Sequence, residues 1–407
     1  MTDPAATLPP HYRATVAALA LGQIVCWAVL FYAFTAFVLP MQRELGWSAP
    51  LLMGAYTTGL AVSAGLSFAV GTVIDRGHGR TVLAWGPLIG AAGLLLWAIA
   101  SHVVVLYAAW VVIGIAMAMT LYEPAFTVVT RLYPQRFREA VTAITLLGGL
   151  ASTLCFPLVA LLQSMLPWRW ALATLALLLA GVSVLHARVL RGASISPAAH
   201  VHAAITDRAA PADATLADAI GSRAFWALTA TFTSATFLTG GLWAHMVPAL
   251  AAKGLSDGDA LKVLVCVGPA QVAGRLLFVF FGQRFSLRAI SLVTLTGLPL
   301  GVLLFALGST LPMLIAFAVV FGVANGMATL VRGGLLPDYF GRAALGRIGG
   351  AMRGIANAMR AAAPLFTAWL LLVLAGYREL LLVCAGVGLV GWLAFALAGR
   401  PSRSIGR

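Results

Sequence analysis

The stretch GTVIDRGHGR, residues 71–80, is a short polar segment at the junction of two long apolar runs, residues 49–74 and 81–100. It carries the acid Asp75 and the arginines Arg76 and Arg80. Each flanking run is long enough for a membrane helix, which needs about 20 apolar residues. The segment therefore predicts a tight, charged loop between two membrane-spanning helices.

The composition excludes most classes of soluble protein. Of the 407 residues, 61% are hydrophobic and 9% are charged, whereas a typical soluble domain carries about 25% charged residues. So little charge cannot coat a soluble surface, which excludes an ordinary cytosolic enzyme, a disordered protein and a nucleic-acid binder. The sequence has no phosphate-binding Gly-Lys-Ser/Thr loop and no catalytic constellation, so we expect neither an enzyme nor a cofactor or metal site.

Twelve apolar runs of membrane-spanning length follow one another along the chain. They cover residues 14–38, 49–74, 81–100, 103–130, 140–164, 168–190, 223–248, 260–282, 289–308, 312–332, 346–374 and 377–398. The one long polar stretch, residues 191–222, separates the sixth run from the seventh. We therefore predict an all-α membrane protein with one six-helix bundle at residues 1–190, a cytoplasmic linker at 191–222, and a second bundle at 223–407 with a short basic tail.

The basic residues set the predicted orientation, because short cytoplasmic loops of membrane proteins are enriched in Lys and Arg. With the N-terminus placed in the cytoplasm, 18 of the 26 basic residues fall on the cytoplasmic side and five on the outer side. The other three, Arg275, Arg353 and Arg360, lie in the interior of predicted spans, away from the span ends. The net charge of +14 therefore predicts a multi-pass protein of the cell (inner) membrane with both termini cytoplasmic, rather than a nucleic-acid partner.

The two halves of the sequence match each other at a shift near 208 residues. A duplicated six-helix unit is the plan of a transporter whose halves rock about a substrate site near the membrane midplane. Equivalent turn residues, glycines and arginines coincide at this shift: Pro40 with Pro248, Gly46 with Gly254, Arg76 with Arg284, Arg80 with Arg288, and Gly114 with Gly322.

Residues 71–80 resemble the signature loop of the major facilitator superfamily, in which a Gly, an Asp-Arg pair and a Gly-Arg pair follow the second helix. One residue is inserted here between the two pairs, and the matching loop at residues 283–288 is degenerate. The resemblance implies the major facilitator fold and alternating access by two bundles. We assign Asp75, Arg76 and Arg80 to a conformational latch, with a solvated polar turn as the alternative.

Three further segments look like the bacterial relatives of monocarboxylate porters and oxalate/formate exchangers. That branch carries an arginine in its eighth helix that meets the substrate carboxylate, and by this match the arginine is Arg275. The acid found one turn earlier in the animal carriers is Gln271 here, and the exchanger's lysine in helix eleven is absent. The segments that carry the resemblance are residues 31–50, 122–126 and 268–278.

Charged residues within the spans are the strongest candidates for function, since an ionised side chain at the bilayer centre costs about 2.5–3.5 kcal/mol. The guanidinium of Arg275 suits a carboxylate, although pairing with a helix-end carbonyl or a loop acid would also explain it. Arg353, Asn357 and Arg360 are spaced to share one face of span eleven, which predicts a polar stripe facing the cavity. Arg360 is the second predicted anion anchor, and Arg353 is predicted to snorkel or gate.

Glu123 is the only acid in the interior of a predicted span, because Glu379 lies at the very start of the last one, and it precedes Pro124. A buried carboxyl could carry a coupled proton. It could equally be the fixed partner of an arginine, or line the cavity without titrating.

Uncharged polar residues complete the predicted substrate site. Gln23 and Tyr32 on span one carry polar groups that need partners in lipid, and Asn325 on span ten is a predicted hydrogen-bond donor to the substrate. Trp27 shares a face with Gln23, although aromatic residues at this spacing also suit packing.

These residues favour a secondary transporter, functioning as a monomer, that moves a small monocarboxylate-like anion by alternating access, through proton coupling or exchange. Three basic residues within the spans against one acid predict a positively charged cavity. The alternative is proton-driven efflux of drugs or other lipophilic compounds, which would need an acid as the recognition group. A channel or receptor without transport is disfavoured by the repeat and the loop at residues 71–80.

Overall fold

The structure is a computed structural model that describes residues 11–191, 215–282, 284–340 and 345–399. All regular elements in these ranges are helices. The first six long helices are α1 (Tyr12–Leu45), α2 (Ala49–Val73), α3 (Gly79–Ala98), α4 (Val103–Leu132), α5 (Phe137–Gly148 continuing as Ala151–Met165) and α6 (Trp168–Val189). The second six are α7 (Arg223–Ala252), α8 (Asp257–Phe281), α9 (Leu287–Leu307), α10 (Leu311–Phe340), α11 (Leu345–Leu370) and α12 (Tyr377–Leu397).

The predicted all-α fold with twelve long helices is confirmed. Most of the predicted linker lies outside the described residues, but its end forms a short helix, Leu216–Gly221. This helix begins with a capping box, in which the Thr215 hydroxyl accepts from the backbone N–H of Asp218 and the Asp218 carboxylate accepts from that of Thr215. Such reciprocal bonds satisfy the N–H groups that a helix start leaves unpaired.

Ten of the long helices are apolar enough to cross a membrane, while α7 and α11 are not among these ten. Hydroxyl side chains are frequent along α7, and α11 carries the stripe that includes Asn357 and Arg360. Polar side chains are tolerated within a bilayer where they face protein or a water-filled cavity rather than lipid. The polar side chains of these two helices are therefore expected to face protein or a cavity rather than lipid.

Glycine contacts show the duplication in three dimensions. Gly114 of α4 packs so closely on the carbonyl of Gly59 in α2 that no side chain would fit. Gly322 of α10 packs in the same way on the carbonyl of Val267 in α8. Both glycines and both carbonyls are related by the 208-residue shift, so the same helix crossing is built twice.

The paired arginines of the two polar loops also have equivalent contacts. Arg80 donates through Nη2 to the carbonyl of Ala187 near the end of α6, at 3.5 Å. Arg288 donates through Nη2 to the carbonyl of Ala396 near the end of α12, at 2.9 Å. Each arginine thus binds the unpaired carbonyls at the end of a helix, where a cation is favoured.

The loop at residues 71–80 accommodates its inserted residue in a widened helical turn. After α2 the chain makes one wide turn, Ile74–His78, with Gly77 at φ 93°. Arg131 of α4 donates to the carbonyl of Ile74 at 3.2 Å, and Arg76 is exposed. The side chain of Asp75 lies outside the described part of the structure, so its role in the latch stays a prediction.

The two bundles meet chiefly along α1–α7, α2–α11 and α5–α8. On the half of the molecule away from the chain termini, Thr35 accepts from the backbone N–H of Val247 at 3.4 Å, and Thr57 accepts from that of Leu365 at 3.2 Å. Beyond Thr57, α2 and α11 separate around a cleft of about 410 Å³ lined by small residues. We call the face that carries the chain termini the terminal face, and the other the opposite face. The bundles pack together at the opposite face and separate toward the terminal face.

Candidate substrate site

The middle of α1 contains a wide helical turn over residues Trp27–Tyr32. In such a turn each backbone hydrogen bond spans one residue more than in an α-helix, and turns of this kind often mark a functional position. Two of its carbonyls accept bonds from neighbouring helices: Ala28 from the thiol of Cys155 at 3.1 Å, and Phe31 from the hydroxyl of Tyr56 at 3.3 Å. Helices α2 and α5 therefore support the irregular backbone.

Aromatic rings from both bundles gather around this turn. Trp27 lies 5.0 Å from Tyr122 of α4 between ring centroids. Tyr32 lies 4.6 Å from Trp243 of α7 and 6.5 Å from Phe156 of α5. The structure thus brings the predicted residues Trp27 and Tyr32 to the interface between the bundles, and adds Tyr122 and Trp243, which the sequence did not single out.

Gln23 is fully buried and hydrogen-bonds the backbone of α4 at the point where that helix is interrupted. The helix breaks at Leu121, which has an extended backbone. The carbonyl of Thr120 would normally accept from residue 124, but Pro124 has no N–H. The side chain of Gln23 donates to this carbonyl at 2.6 Å, and its oxygen accepts from the indole of Trp27 at 3.2 Å. Gln23 therefore positions Trp27 and joins α1 to α4.

Arg275 of α8 reaches from the second bundle into the first. Its side chain is 5% exposed, and its Nη1 donates to the carbonyl of Thr145 in α5. Gly149 provides the space beside the guanidinium, and the neighbouring Gly148 lies against the hydroxyl of Tyr122. Pairing with a helix-end carbonyl, one of the two roles foreseen for this arginine, is its contact in this conformation. Its Nε has no partner, so the guanidinium retains a free donor.

Gln271 and Asn325 form a polar pair between α8 and α10. Asn325 donates through Nδ2 to the side-chain oxygen of Gln271 at 3.2 Å. Gln271 is 3% exposed and its Nε2 has no partner. The structure thus brings together two of the predicted substrate-binding residues, one turn from Arg275 on α8.

Arg360 and Asn357 lie half-buried on α11. Within the described ranges Arg360 makes no hydrogen bond or ion pair, and it lies beside Gly240 of α7. The two predicted anchors thus lie on two helices of the same bundle, Arg275 beside Gly149 of α5 and Arg360 beside Gly240 of α7. The side chain of Arg353 lies outside what the structure describes.

Glu123 is exposed in the first turn of the second part of α4, Tyr122–Leu132. An acid at this position interacts favourably with the unpaired N–H groups and the dipole of the helix start. Among the residues that the structure describes, Glu123 forms no salt bridge. It adjoins Tyr122, whose hydroxyl lies against Gly148 of α5.

Two six-helix bundles that meet around a buried, positively charged and aromatic centre define a membrane transporter of the alternating-access class. The sequence profile described as Major Facilitator Superfamily matches residues 19–274. The chain belongs to this family, and it is a transporter rather than an enzyme.

Solved transporters share the whole fold. A bacterial homologue of the human lysosomal transporter Spinster, in an inward-facing and occupied conformation, aligns with a TM-score of 0.74 at 14% identity, over 98% of this chain and 100% of that one. A mutant of the nucleoside transporter NupG aligns with a TM-score of 0.72 at 14% identity, over 95% and 99%. At these identities the likeness concerns the fold alone.

One curated protein matches part of the sequence. It is described as probable anion transporter 4, chloroplastic, from Arabidopsis thaliana, and is 30% identical over 139 residues. The match spans 33% of this chain and a quarter (25%) of the plant protein's length.

We predict that Gln23→Met destabilises the fold, because the Thr120 carbonyl then loses its donor inside the protein. Leaving a buried carbonyl unsatisfied costs about 1–3 kcal/mol. Thermal unfolding of the purified protein in detergent measures this loss, with Gln135→Met at an exposed position as the control. Equal unfolding temperatures for the two variants would contradict the structural role of Gln23.

Proposed function

We propose that this protein transports a small monocarboxylate-like organic anion by alternating access. The burial of Arg275 at the interface between the bundles supports the proposal most strongly, since its guanidinium binds a neutral carbonyl and keeps a free donor at Nε. A guanidinium offers a planar pair of donors that suits a carboxylate. A partial match to a protein described as a probable anion transporter is consistent with this substrate class.

In the proposed mechanism the carboxylate binds between the two arginines, and the bundles then rock around it. Neutralising the arginine charge lowers the cost of enclosing it away from water. Gln271, Asn325 and Asn357 are proposed to orient the anion by hydrogen bonds. The apolar part of the substrate would lie against Trp27 and Tyr32 of the first bundle. Gln23 would hold Trp27 in place.

The proposed orientation follows the positive-inside rule. The terminal face is then cytoplasmic in the cell (inner) membrane, and the structure represents a conformation that opens toward the cytoplasm. Asp75, Arg76 and Arg80 are proposed to latch the cytoplasmic ends of the first bundle. The protein is proposed to function as a monomer in the lipid bilayer.

We predict that Arg275→Ala and Arg360→Ala each weaken binding of acetate or lactate by at least about tenfold, the loss expected for a hydrogen bond to a charged group. Binding is measured as ligand-induced thermal stabilisation of the purified protein, with tetraphenylphosphonium as a lipophilic cation for comparison. Arg43→Ala, at an exposed position near the opposite face, is the matched control and should bind like the unmodified protein. Stabilisation by the cation alone would favour drug efflux and overturn the anion proposal.

Glu123 is proposed to couple the anion to a proton, because it lacks an ion pair among the described residues and adjoins Tyr122. Its exposure in this conformation differs from the burial that this role was predicted to need. We predict that Glu123→Gln abolishes substrate-driven proton movement in proteoliposomes while acetate binding is retained. Glu139→Gln, which removes an exposed acid near the terminal face, serves as the control. Unchanged proton movement in Glu123→Gln would exclude this role. Absence of substrate-driven proton movement in the unmodified protein would leave exchange as the mode of transport.

A further inference from the structure

Two threonine hydroxyls of the first bundle bind backbone groups of the second bundle at the opposite face. Thr35 of α1 accepts from the N–H of Val247 in α7 at 3.4 Å. Thr57 of α2 accepts from the N–H of Leu365 in α11 at 3.2 Å. These two bonds connect the bundles on the side of the molecule where they pack together.

His245 joins the two second-bundle helices that make these bonds. It lies on α7, two residues before the N–H that binds Thr35, and its Nε2 is 3.4 Å from the carbonyl of Pro364 on α11. Leu365, whose N–H binds Thr57, is the next residue. A row of hydrogen bonds therefore runs from α1 through α7 and α11 to α2, with the imidazole as its middle member. We call these three bonds the opposite-face row.

The bond to Pro364 determines which ring nitrogen of His245 carries a hydrogen. A carbonyl oxygen only accepts, so Nε2 is the N–H and Nδ1 holds a lone pair. His245 is 1% exposed, and its Nδ1 has no hydrogen-bond partner within the described ranges. Buried polar atoms are nearly always paired. Histidine is the side chain whose charge changes between about pH 5 and pH 8, so a proton suits this unpaired nitrogen.

The imidazole lies close to the solvent-exposed start of α12. The ring centroid of Tyr377, the first residue of α12, is 5.9 Å from that of His245. Tyr377 is half-buried, and the next residue, Arg378, is exposed. One aromatic side chain thus separates His245 from a helix start that solvent reaches.

A protonated His245 would have no counter-ion in the described part of the chain. The helices α1, α11 and α12 pack along this part of α7. None of their charged or titratable side chains that the structure describes forms a hydrogen bond or an ion pair with the imidazole. These side chains are Tyr32 on α1, Arg360 on α11, and Tyr377, Arg378, Glu379 and Cys384 on α12.

The charged groups farther out at the opposite face are already bound elsewhere or exposed. Lys253, at the end of α7, donates to the carbonyls of Ala306 and Gly308. Two acids near the same surface form ion pairs, and the exposed Arg43 and Asp257 mark the end of α1 and the start of α8. The ion pairs are Glu44 with Arg169 and Asp259 with Lys262.

Protonation of His245 is therefore unfavourable in this conformation. The second N–H of an imidazolium would lack an acceptor, and an enclosed charge without a counter-ion is costly. The cost falls where the bundles part at the opposite face, because water can then solvate the ring. A ligand shifts an equilibrium toward the conformation that binds it better, so a proton on His245 favours opening at this face.

We propose that His245 is a proton-binding site of the transport cycle, loaded from the opposite face, and that its protonation releases the bonds of Thr35 and Thr57. The proton comes from solvent and adds to the lone pair of Nδ1. The neutral ring belongs to the conformation closed at the opposite face, and the protonated ring to the conformation open there. The inference goes beyond the proposed function, since it requires alternating access and no particular substrate.

The test measures a distance across the opposite face of the purified full chain by electron–electron double resonance. Spin labels are placed at Arg43→Cys on α1 and Ala251→Cys on α7, two exposed positions related by the 208-residue shift. Cys266→Ser removes the half-buried native cysteine, and the other three cysteines are buried. Acidification from about pH 8 to about pH 5.5 is expected to raise the ratio of long to short distances at least about fivefold. One proton bound in a single state shifts a two-state equilibrium by up to about tenfold per pH unit.

His245→Gln keeps a side-chain donor for the Pro364 carbonyl but cannot titrate, so it should keep the short distance at both pH values. His186→Gln is the matched control, because His186 is equally buried but both of its ring nitrogens lie near backbone carbonyls. His102→Gln removes an exposed histidine near the opposite face. Both controls should respond to pH like the unmodified protein.

An equal pH response in His245→Gln, or no response in the unmodified protein, would overturn the site. A response lost in Glu123→Gln and kept in His245→Gln would assign the proton to Glu123 instead. Thr57→Val removes one bond of the opposite-face row and should raise the long-distance population already at about pH 8. This variant and the unmodified protein decide the matter should His245→Gln not fold. Because the samples contain no anion, failure here leaves the proposed anion transport untouched.

Discussion

The arrangement of this transporter depends on a guanidinium, that of Arg275, enclosed between its two bundles without an acid beside it in the described part of the chain. Desolvating an arginine costs several kcal/mol unless donors and acceptors are well matched. Here the compensation comes from a neutral group, the carbonyl of Thr145. Gly148 gives room to the Tyr122 hydroxyl and Gly149 to the guanidinium. The interruption of α5 at these glycines thus makes room for the side chain of Arg275.

The polar centre is asymmetric although the scaffold is duplicated. At the 208-residue shift, Arg275 corresponds to Ser67 and Arg360 to Ser152. The second bundle therefore carries arginines at two positions where the first bundle has serines, while both bundles contribute aromatic rings. Because the helix crossings at Gly114 and Gly322 are the same, the duplication accounts for the scaffold, and divergence at a few positions accounts for the chemistry.

Much of the fold could be predicted from the sequence, because apolar length, short charged loops and internal repetition are local signals. These signals gave the twelve helices, the repeat and the loop with Asp75. The site could be predicted only in part: Arg275, Arg360 and Trp27 stand out as charges or rings in apolar runs. The wide turn at Trp27–Tyr32 could not, because it contains neither glycine nor proline. Nor could the bond from Arg275 to Thr145, since contacts between bundles depend on tertiary packing.

Counterflow in proteoliposomes tests most directly whether the positive centre moves an anion. Vesicles loaded with unlabelled lactate and placed in labelled lactate should accumulate label transiently, and empty protein-free vesicles should not. A small-anion carrier predicts this overshoot for lactate and none for labelled tetraphenylphosphonium. Overshoot with the cation, and none with lactate, would contradict the assignment of Arg275 and Arg360 as anion anchors.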